Sequence, residues 1–255
     1  MSIAIVTGAS SGMGKDFAEA FALQNKFDEI WVIARRIDRL EAIKEELGDV
    51  IRPVALDLTD KNCLLSFKSM LQNEQPDVSV LVNCSGYGRF GTYEDIDTED
   101  ALGMVDLNSK ALVAITEYTL PYMKEGAEIY QLCSLSSFQP VPYLNAYAAS
   151  KAFVLSYSRG LNAELKCRKI KVMAVCPGWV RTEFFDHATA TDNKAVTYYN
   201  KIYESKDVIK TALKDMKKGK DVSIHGFRVK AQVLLVKLLP HSLVMKIWLK
   251  QQKHI

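Results

Sequence analysis

Ile3-Ala-Ile-Val-Thr-Gly8-Ala-Ser-Ser-Gly12-Met-Gly14 joins a short β-branched apolar run to a glycine-rich turn. A run that is apolar on both faces reads as a buried parallel strand. Directly after the turn, Phe17, Ala18, Phe21 and Ala22 recur at helical spacing. Strand, turn and helix together make the first half of a βαβ unit. The glycines have a physical task here. They let the chain bend tightly, let backbone come close to a pyrophosphate, and let helix pack close to strand. The helix N-terminus then offers unpaired N–H groups to an anion.

Working outward, the same alternation repeats. Strands are predicted at 30–34, 51–56, 78–82, 127–133 and 170–176, with a short one at 222–224. Between them, helical patterns cover 40–47, the segment that Asp60 would cap and that carries Leu64, Leu65 and Phe67, a long stretch from 99 to 124 disturbed by Pro121, the segment around Tyr147, and 206–217. Strands alternating with helices of this length predict an α/β fold, a single doubly wound parallel sheet with helices on both faces. No repeat, low-complexity segment or linker divides the chain, so residues 1–255 are expected to form one domain. Residues 179–204 show no clean periodicity and are expected to form a lid. Residues 227–255 are expected to form a C-terminal helical extension.

The net charge of +3 does not call for a nucleic-acid partner, but it is unevenly placed. From Val229 to Ile255 there are five lysines and no acid, so the total is a +5 tail set against −2 elsewhere. Cys63, Cys84, Cys133, Cys167 and Cys176 form no Cys-x-x-Cys pair and no Cys/His spacing, which predicts reduced thiols, no metal site and a cytoplasmic location. No charged n-region and apolar h-region precede Ile3, so no signal peptide is expected. No apolar stretch reaches the ~18 uninterrupted residues of a membrane span.

Tyr147-Ala-Ala-Ser-Lys151 places a phenol and an ammonium one helical turn apart on one face. A phenol has an unperturbed pKa of about 10. A neighbouring cation favours the phenolate, so such a pair can exchange a proton with an alcohol or carbonyl oxygen. The plain alternative is an aromatic and a solvated lysine on an ordinary helix.

Taken in order and spacing, residues 1 to about 182 resemble the short-chain dehydrogenase/reductase family. The glycine motif Gly8, Ser10, Ser11, Gly12, Met13, Gly14 resembles its cofactor turn, and Asp57 with Leu58 its adenine-side acid. Asn83-Cys-Ser-Gly86 stands where the family usually has Asn-Asn-Ala-Gly, a departure that reads as a packing change. Asn108, Ser134, Tyr147 and Lys151 match its active-site residues, while Pro177, Gly178, Val180 and Thr182 match the segment at the nicotinamide end. The resemblance implies a Rossmann-like sheet and a nicotinamide cofactor. It also implies a small-molecule carbonyl or alcohol substrate and assembly as a homodimer or homotetramer. The Asp-Gly-Gly-like ending of many tetrameric relatives is missing, however, and the chain continues well past its last strand.

By that resemblance Tyr147 is the general acid or base and Lys151 lowers its pKa and binds the nicotinamide ribose. Ser134, thirteen residues upstream of Tyr147, holds the substrate oxygen, with Ser136 and Ser137 as rivals in the same loop. Asn108 holds a water that relays protons towards Lys151, or else is a helix-interior amide bonded to backbone. The second strand ends in Arg35-Arg36 without an acid, and arginine suits the 2′-phosphate of NADP where an acid suits the ribose of NAD. NADP(H), held by Ser10, Arg35 and Arg36, is therefore expected in preference to NAD(H).

Phe184, Phe185, Tyr198 and Tyr199 in the lid predict an apolar substrate wall. Leu243, Val244, Ile247 and Trp248 recur at helical spacing beside Lys246, Lys250 and Lys253. That pattern fits a helix packed on the domain or on a partner subunit, the preferred reading, or a basic helix making peripheral contact with a membrane. The expected activity is NADP(H)-dependent interconversion of an apolar ketone or aldehyde and its alcohol. The alternatives are a non-catalytic NADP(H)-binding sensor or scaffold and, with less room at this length, a nucleotide-sugar epimerase or dehydratase.

Overall fold

The computed structural model of the chain describes residues 2–189 and 195–252, without the side chain of Asp186. Residues 190–194 of the expected lid and 253–255 of the expected extension lie outside the described residues. Strands β1 (Ser2–Thr7), β2 (Glu29–Ala34), β3 (Ile51–Ala55), β4 (Asp77–Asn83), β5 (Glu128–Leu132) and β6 (Lys171–Val175) alternate with helices. These are α1 (Gly12–Ala22), α2 (Ile37–Leu47), α3 (Lys61–Glu74), α4 (Thr98–Val105), α5 (Leu112–Thr119) and α6 (Asn145–Glu164). The chain continues through β7 (Trp179–Val180), α7 (Glu183–Ala188), β8 (Ile202–Tyr203), α8 (Ser205–Lys217), β9 (Val222–Ser223), α9 (Phe227–Leu238) and α10 (His241–Gln251).

Seven strands form one parallel sheet in the order β3-β2-β1-β4-β5-β6-β9. Strand order reverses direction beside β1, and β1 pairs with β2 on one side and β4 on the other. The side-chain period of two divides the core. Ala4, Val6 and Val32 face Phe17, Phe21, Leu40 and Ile209 of α1, α2 and α8. Ile3, Ile5, Trp31 and Ile33 face Leu64, Phe67, Ile115 and Leu161 of α3, α5 and α6. Both faces of the strands are thus buried, as their continuous apolar sequences require.

Local chemistry sets the element ends. Asp60 caps α3, its carboxylate accepting from the N–H groups of Asn62 at 2.5 Å and Cys63 at 3.2 Å. The stretch expected as one helix from 99 to 124 is broken. A π-helical turn at Asp106–Ala111 separates α4 from α5, and the stretch closes in a 3₁₀ turn, Leu120–Tyr122, containing Pro121. At the outer edge, Leu56 N donates to Ala34 O, so the alternation of the strand turns the nitrogen of Pro53 away from β2. The opposite edge, β9, pairs with β6 over two residues.

Candidate active site

The glycine turn follows β1 at the point where strand order reverses, outside the carboxyl ends of the strands, where open α/β sheets bind ligands. Gly8 has φ +67° and Gly12 φ +52°, which side chains rarely adopt. A Cβ on Gly14 would stand 2.2 Å from the carbonyl oxygen of Gly8, so helix and turn touch backbone to backbone. Overpacking of this kind costs about 1–3 kcal/mol. Gly14→Ala is therefore expected to lower Tm by at least about 2 °C, and an unchanged thermal melt would show that the turn can re-form.

Arg36 leaves the end of β2 and crosses the turn. Its guanidinium donates to Ser10 Oγ at 2.9 Å and Ser11 Oγ at 3.4 Å, and also to Glu183 Oε2 at 3.3 Å. Arg39 donates to the other carboxylate oxygen of Glu183. Hydrogen bonds from Arg39 lead the influences that hold the Glu183 carboxyl below its usual range, those from Arg36 adding to them. Thr182 lies against Gly12, where a Cβ would meet its methyl at 3.1 Å. Thr182 and Glu183 thus reach over the glycine turn from the far side, and the Arg36–Glu183 clasp was missed by sequence reasoning because its partners are 147 residues apart. Arg35 is more exposed and lies 4.0 Å from Asp57. Burial raises the Asp57 pKa, but hydrogen bonds from the Thr59 hydroxyl and N–H, with Arg35 nearby, outweigh it and leave the carboxyl below its usual value.

Ser134 follows β5 in extended conformation and caps a 3₁₀ turn, Leu135–Phe138. Its hydroxyl accepts from Ser136 N at 3.2 Å, while Ser137 Oγ accepts from Ser134 N at 3.2 Å. Of the three serines, Ser134 is the one hydrogen-bonded to Tyr147, Ser137 serves the turn, and the buried Ser136 Oγ has no partner. Tyr147 and Lys151 lie in the first turns of α6 and are both buried. Burial pushes the Tyr147 phenol up to about 12, against the pull of the Ser134 hydrogen bond. The expected lowering by Lys151 is not seen. Its ammonium stands 5.9 Å from the Tyr147 ring centroid, donates to Leu132 O at 2.8 Å, and has its own pKa lowered by burial.

Asn108 sits in the π-helical turn. Its Oδ1 accepts from Tyr87 N at 3.0 Å, and its Nδ2 donates to Tyr87 O at 2.9 Å and Ser150 Oγ at 3.1 Å. A Cβ on Gly86 would lie 2.7 Å from Asn108 Oδ1 and 3.3 Å from Lys151 Nζ, so Gly86 is the gap through which the two groups approach. Asn83 is placed otherwise than expected of a cofactor contact. It is buried in the sheet, its amide donating to Thr116 Oγ1 and Gln131 Oε1 at 3.0 Å each, and it does not line the cavity. Cys84, in the altered pair, is buried with its thiol pushed up to about 12 by that burial, and its N–H bonds Thr7 Oγ1. That agrees with a packing change.

Apart from Arg39, Asn83 and the fully buried Asn108, which do not line it, these groups open on one cavity of about 1430 Å³. Gly8 to Gly14 apart from the buried Ala9, Arg35, Arg36, Asp57 and Leu58 line one end, and Ser134, Tyr147, Lys151, Pro177, Gly178, Val180 and Thr182 line the middle. The volume exceeds the 300–1,000 Å³ usual for one drug-sized ligand. Phe184, Phe185 and Tyr198 line the far end as expected. Tyr199 does not. It packs edge-to-face behind the wall against Trp179 at 5.0 Å and Phe185 at 4.7 Å. The sequence reading missed Phe90, Trp179, Leu235 and Trp248 in this wall. Trp248 donates from its indole to Pro142 O, 106 residues away, which seats α10 on the domain. Tyr143 in that loop has φ +69°, a strained conformation held by Gly91 N donating to its carbonyl. Among the described residues no cluster of three metal-ligating side chains is found.

A family model described as short chain dehydrogenase matches residues 2–193. Sulfoacetaldehyde reductase 2 of Chromohalobacter salexigens is 34% identical over 202 residues, covering 76% of this chain and 78% of that protein. The structure of a short-chain dehydrogenase from Sphingobium yanoikuyae in complex with NADPH superposes with TM-score 0.80 at 26% identity, covering 96% and 95% of the two chains. The closed form of serine dehydrogenase complexed with NADP+ gives TM-score 0.76 at 27% identity, covering 88% of this chain and 94% of that one.

Proposed function

The chain belongs to the short-chain dehydrogenase/reductase family of oxidoreductases, and from that premise we propose that it interconverts an apolar ketone or aldehyde and its alcohol with NADP(H). One observation carries the reading. The Tyr147 hydroxyl, bonded to Ser134, opens on a cavity whose other end is a glycine turn crossed by Arg36. The residues present suit the cofactor: the Gly8–Gly14 contact leaves no room for a Cβ, which is where a pyrophosphate needs backbone to come close. Arg36 supplies a guanidinium for a 2′-phosphate, and related NADPH and NADP+ complexes support that choice. The cofactor when bound supplies the hydride.

The chain's own part is proton transfer and orientation. Ser134 Oγ accepts from Ser136 N, and its one hydrogen, turned to Tyr147 in the free protein, would pass to a substrate oxygen placed beside the two hydroxyls. Tyr147 donates its proton to that oxygen in reduction and takes one back in oxidation. Lys151 is anchored on Leu132 O, and its ammonium would bind ribose hydroxyls and favour the phenolate once charge builds there. Phe184, Trp179 and Phe90 exclude water around the reacting oxygen.

The raised Tyr147 pKa gives a sign to the pH dependence. A phenol held near 12 is protonated at neutral pH, so the acid needed for reduction is present and the base needed for oxidation is scarce. The kcat for alcohol oxidation is therefore expected to rise from pH 7 to 10, while that for ketone reduction stays flat or falls over the same range. Parallel pH profiles in both directions would contradict the assignment. NADPH consumption over a carbonyl panel tests the function as a whole. Turnover of bulky apolar ketones supports it, turnover of small polar sugars alone removes the apolar substrate, and cofactor binding without any turnover favours a sensor.

A further inference from the structure

A helix that is apolar on two faces can bury only one of them against its own domain. Helix α9 buries Val229, Val233 and Val236 against the domain, and α10 follows with Val244 and the Trp248 indole. Phe227, Leu234, Leu235, Leu238, Leu243 and Ile247 remain exposed, Phe227 at 86% and Leu238 at 73%, and of these Leu234, Leu238 and Leu243 lie outside the cavity wall. Exposed apolar residues gathered on one surface mark a contact site. Arg228, Lys230, Lys246 and Lys250 on these helices are exposed, the Lys237 ammonium lies over the Phe138 ring of the domain at 5.2 Å, and no acid occurs from Gly226 to Gln252.

We infer that the α9–α10 hairpin docks on an anionic phospholipid surface. Charge complementarity decides the occupant. Four free cations beside exposed apolar side chains match anionic headgroups above acyl chains. A second copy docked on the same face would set these cations against one another, which disfavours a two-fold contact. Among the described residues no helix is long and apolar enough to cross a membrane, so the contact is peripheral. Phe227, Leu235 and Ile247 belong both to this face and to the wall of the cavity. The mouth of the cavity therefore opens towards the lipid. Resting on the proposed function, this names the substrate class as carbonyl compounds dissolved in the bilayer.

The test is co-sedimentation of the full chain with vesicles of phosphatidylcholine alone or mixed equally with phosphatidylglycerol. Binding to the mixed vesicles is expected to exceed binding to neutral ones by about tenfold or more and to fall at about 0.5 M salt. Leu234→Glu/Leu238→Glu, which lies outside the cavity wall, should abolish it while keeping the circular dichroism spectrum. Lys246→Gln/Lys250→Gln should weaken it with the fold intact. Equal binding to neutral vesicles, no binding at all, or unchanged binding by both variants overturns the inference. So does a wild-type dimer that Leu234→Glu/Leu238→Glu converts to monomer, since a second copy would then cover the face. Vesicle binding is scored without turnover, so it stands or falls separately from the proposed reaction. Its reading of the substrate is scored by whether mixed vesicles raise turnover of a vesicle-dissolved ketone and leave a water-soluble one unchanged. Equal effects on both would remove the lipid-fed substrate.

Discussion

Tyr147→Phe is expected to lower kcat for ketone reduction by about 10²–10⁴-fold, the usual contribution of a positioned acid. The ring remains, so its contacts with Phe90 at 6.1 Å and Phe184 at 5.4 Å between centroids persist and the fold should not change. What disappears is the hydroxyl bonded to Ser134. NADPH titration by fluorescence should therefore give a Kd within a few-fold of wild type while turnover collapses. Retention of more than about a tenth of the wild-type kcat would mean that another group delivers the proton. Such a result would turn attention to water in the cavity.

The second large effect concerns the arginine over the phosphate turn. Charge-assisted hydrogen bonds contribute about 1.5–3 kcal/mol, so Arg36→Ala is expected to raise KM for NADPH by about 10–100-fold and to leave KM for NADH nearly unchanged. Glu183→Gln should act in the opposite direction. Its carboxylate, held charged at neutral pH by Arg39 and Arg36, competes with a 2′-phosphate for the same guanidinium. Removing the charge should lower KM for NADPH a few-fold. The clasp is about two-fifths exposed and so is screened by salt. The advantage of Glu183→Gln should accordingly shrink as ionic strength rises. If Arg36→Ala changed both cofactors alike, Arg36 would be part of the turn's architecture rather than a reader of the phosphate.

What could be read from the sequence follows from how local its causes are. The β1–turn–α1 unit was legible because two glycines with positive φ, a two-faced apolar strand and a helical period all fall within Ile3–Ala22. The cap at Asp60 is likewise a matter of four consecutive residues. The π-helical turn that carries Asn108 left no mark, since its extra residue interrupts a helical pattern without a glycine or proline inside it. The role of Asn83 was misjudged because a buried triad with Thr116 and Gln131 joins three elements. Glu183 escaped for the same reason, acting on a residue more than a hundred positions away, whereas Trp248 was read as packing its helix on the domain or a partner but not as part of the cavity wall. The tail was read as one helix face, yet α9 and α10 are apolar on two, and only the packed chain shows which of them is spent on the domain.

The two margins of the sheet carry a last consequence. An open strand edge is a template on which another chain can be laid down. At one margin Pro53 turns a nitrogen without hydrogen outward, and at the other β9 offers a ladder only two residues long. Neither margin can sustain a row of main-chain bonds to an added strand. The protein is thereby guarded against fibre-like growth, including while α9 and α10 are still finding their place during synthesis. Contacts between copies at these margins would then rest on side chains rather than on a shared strand ladder.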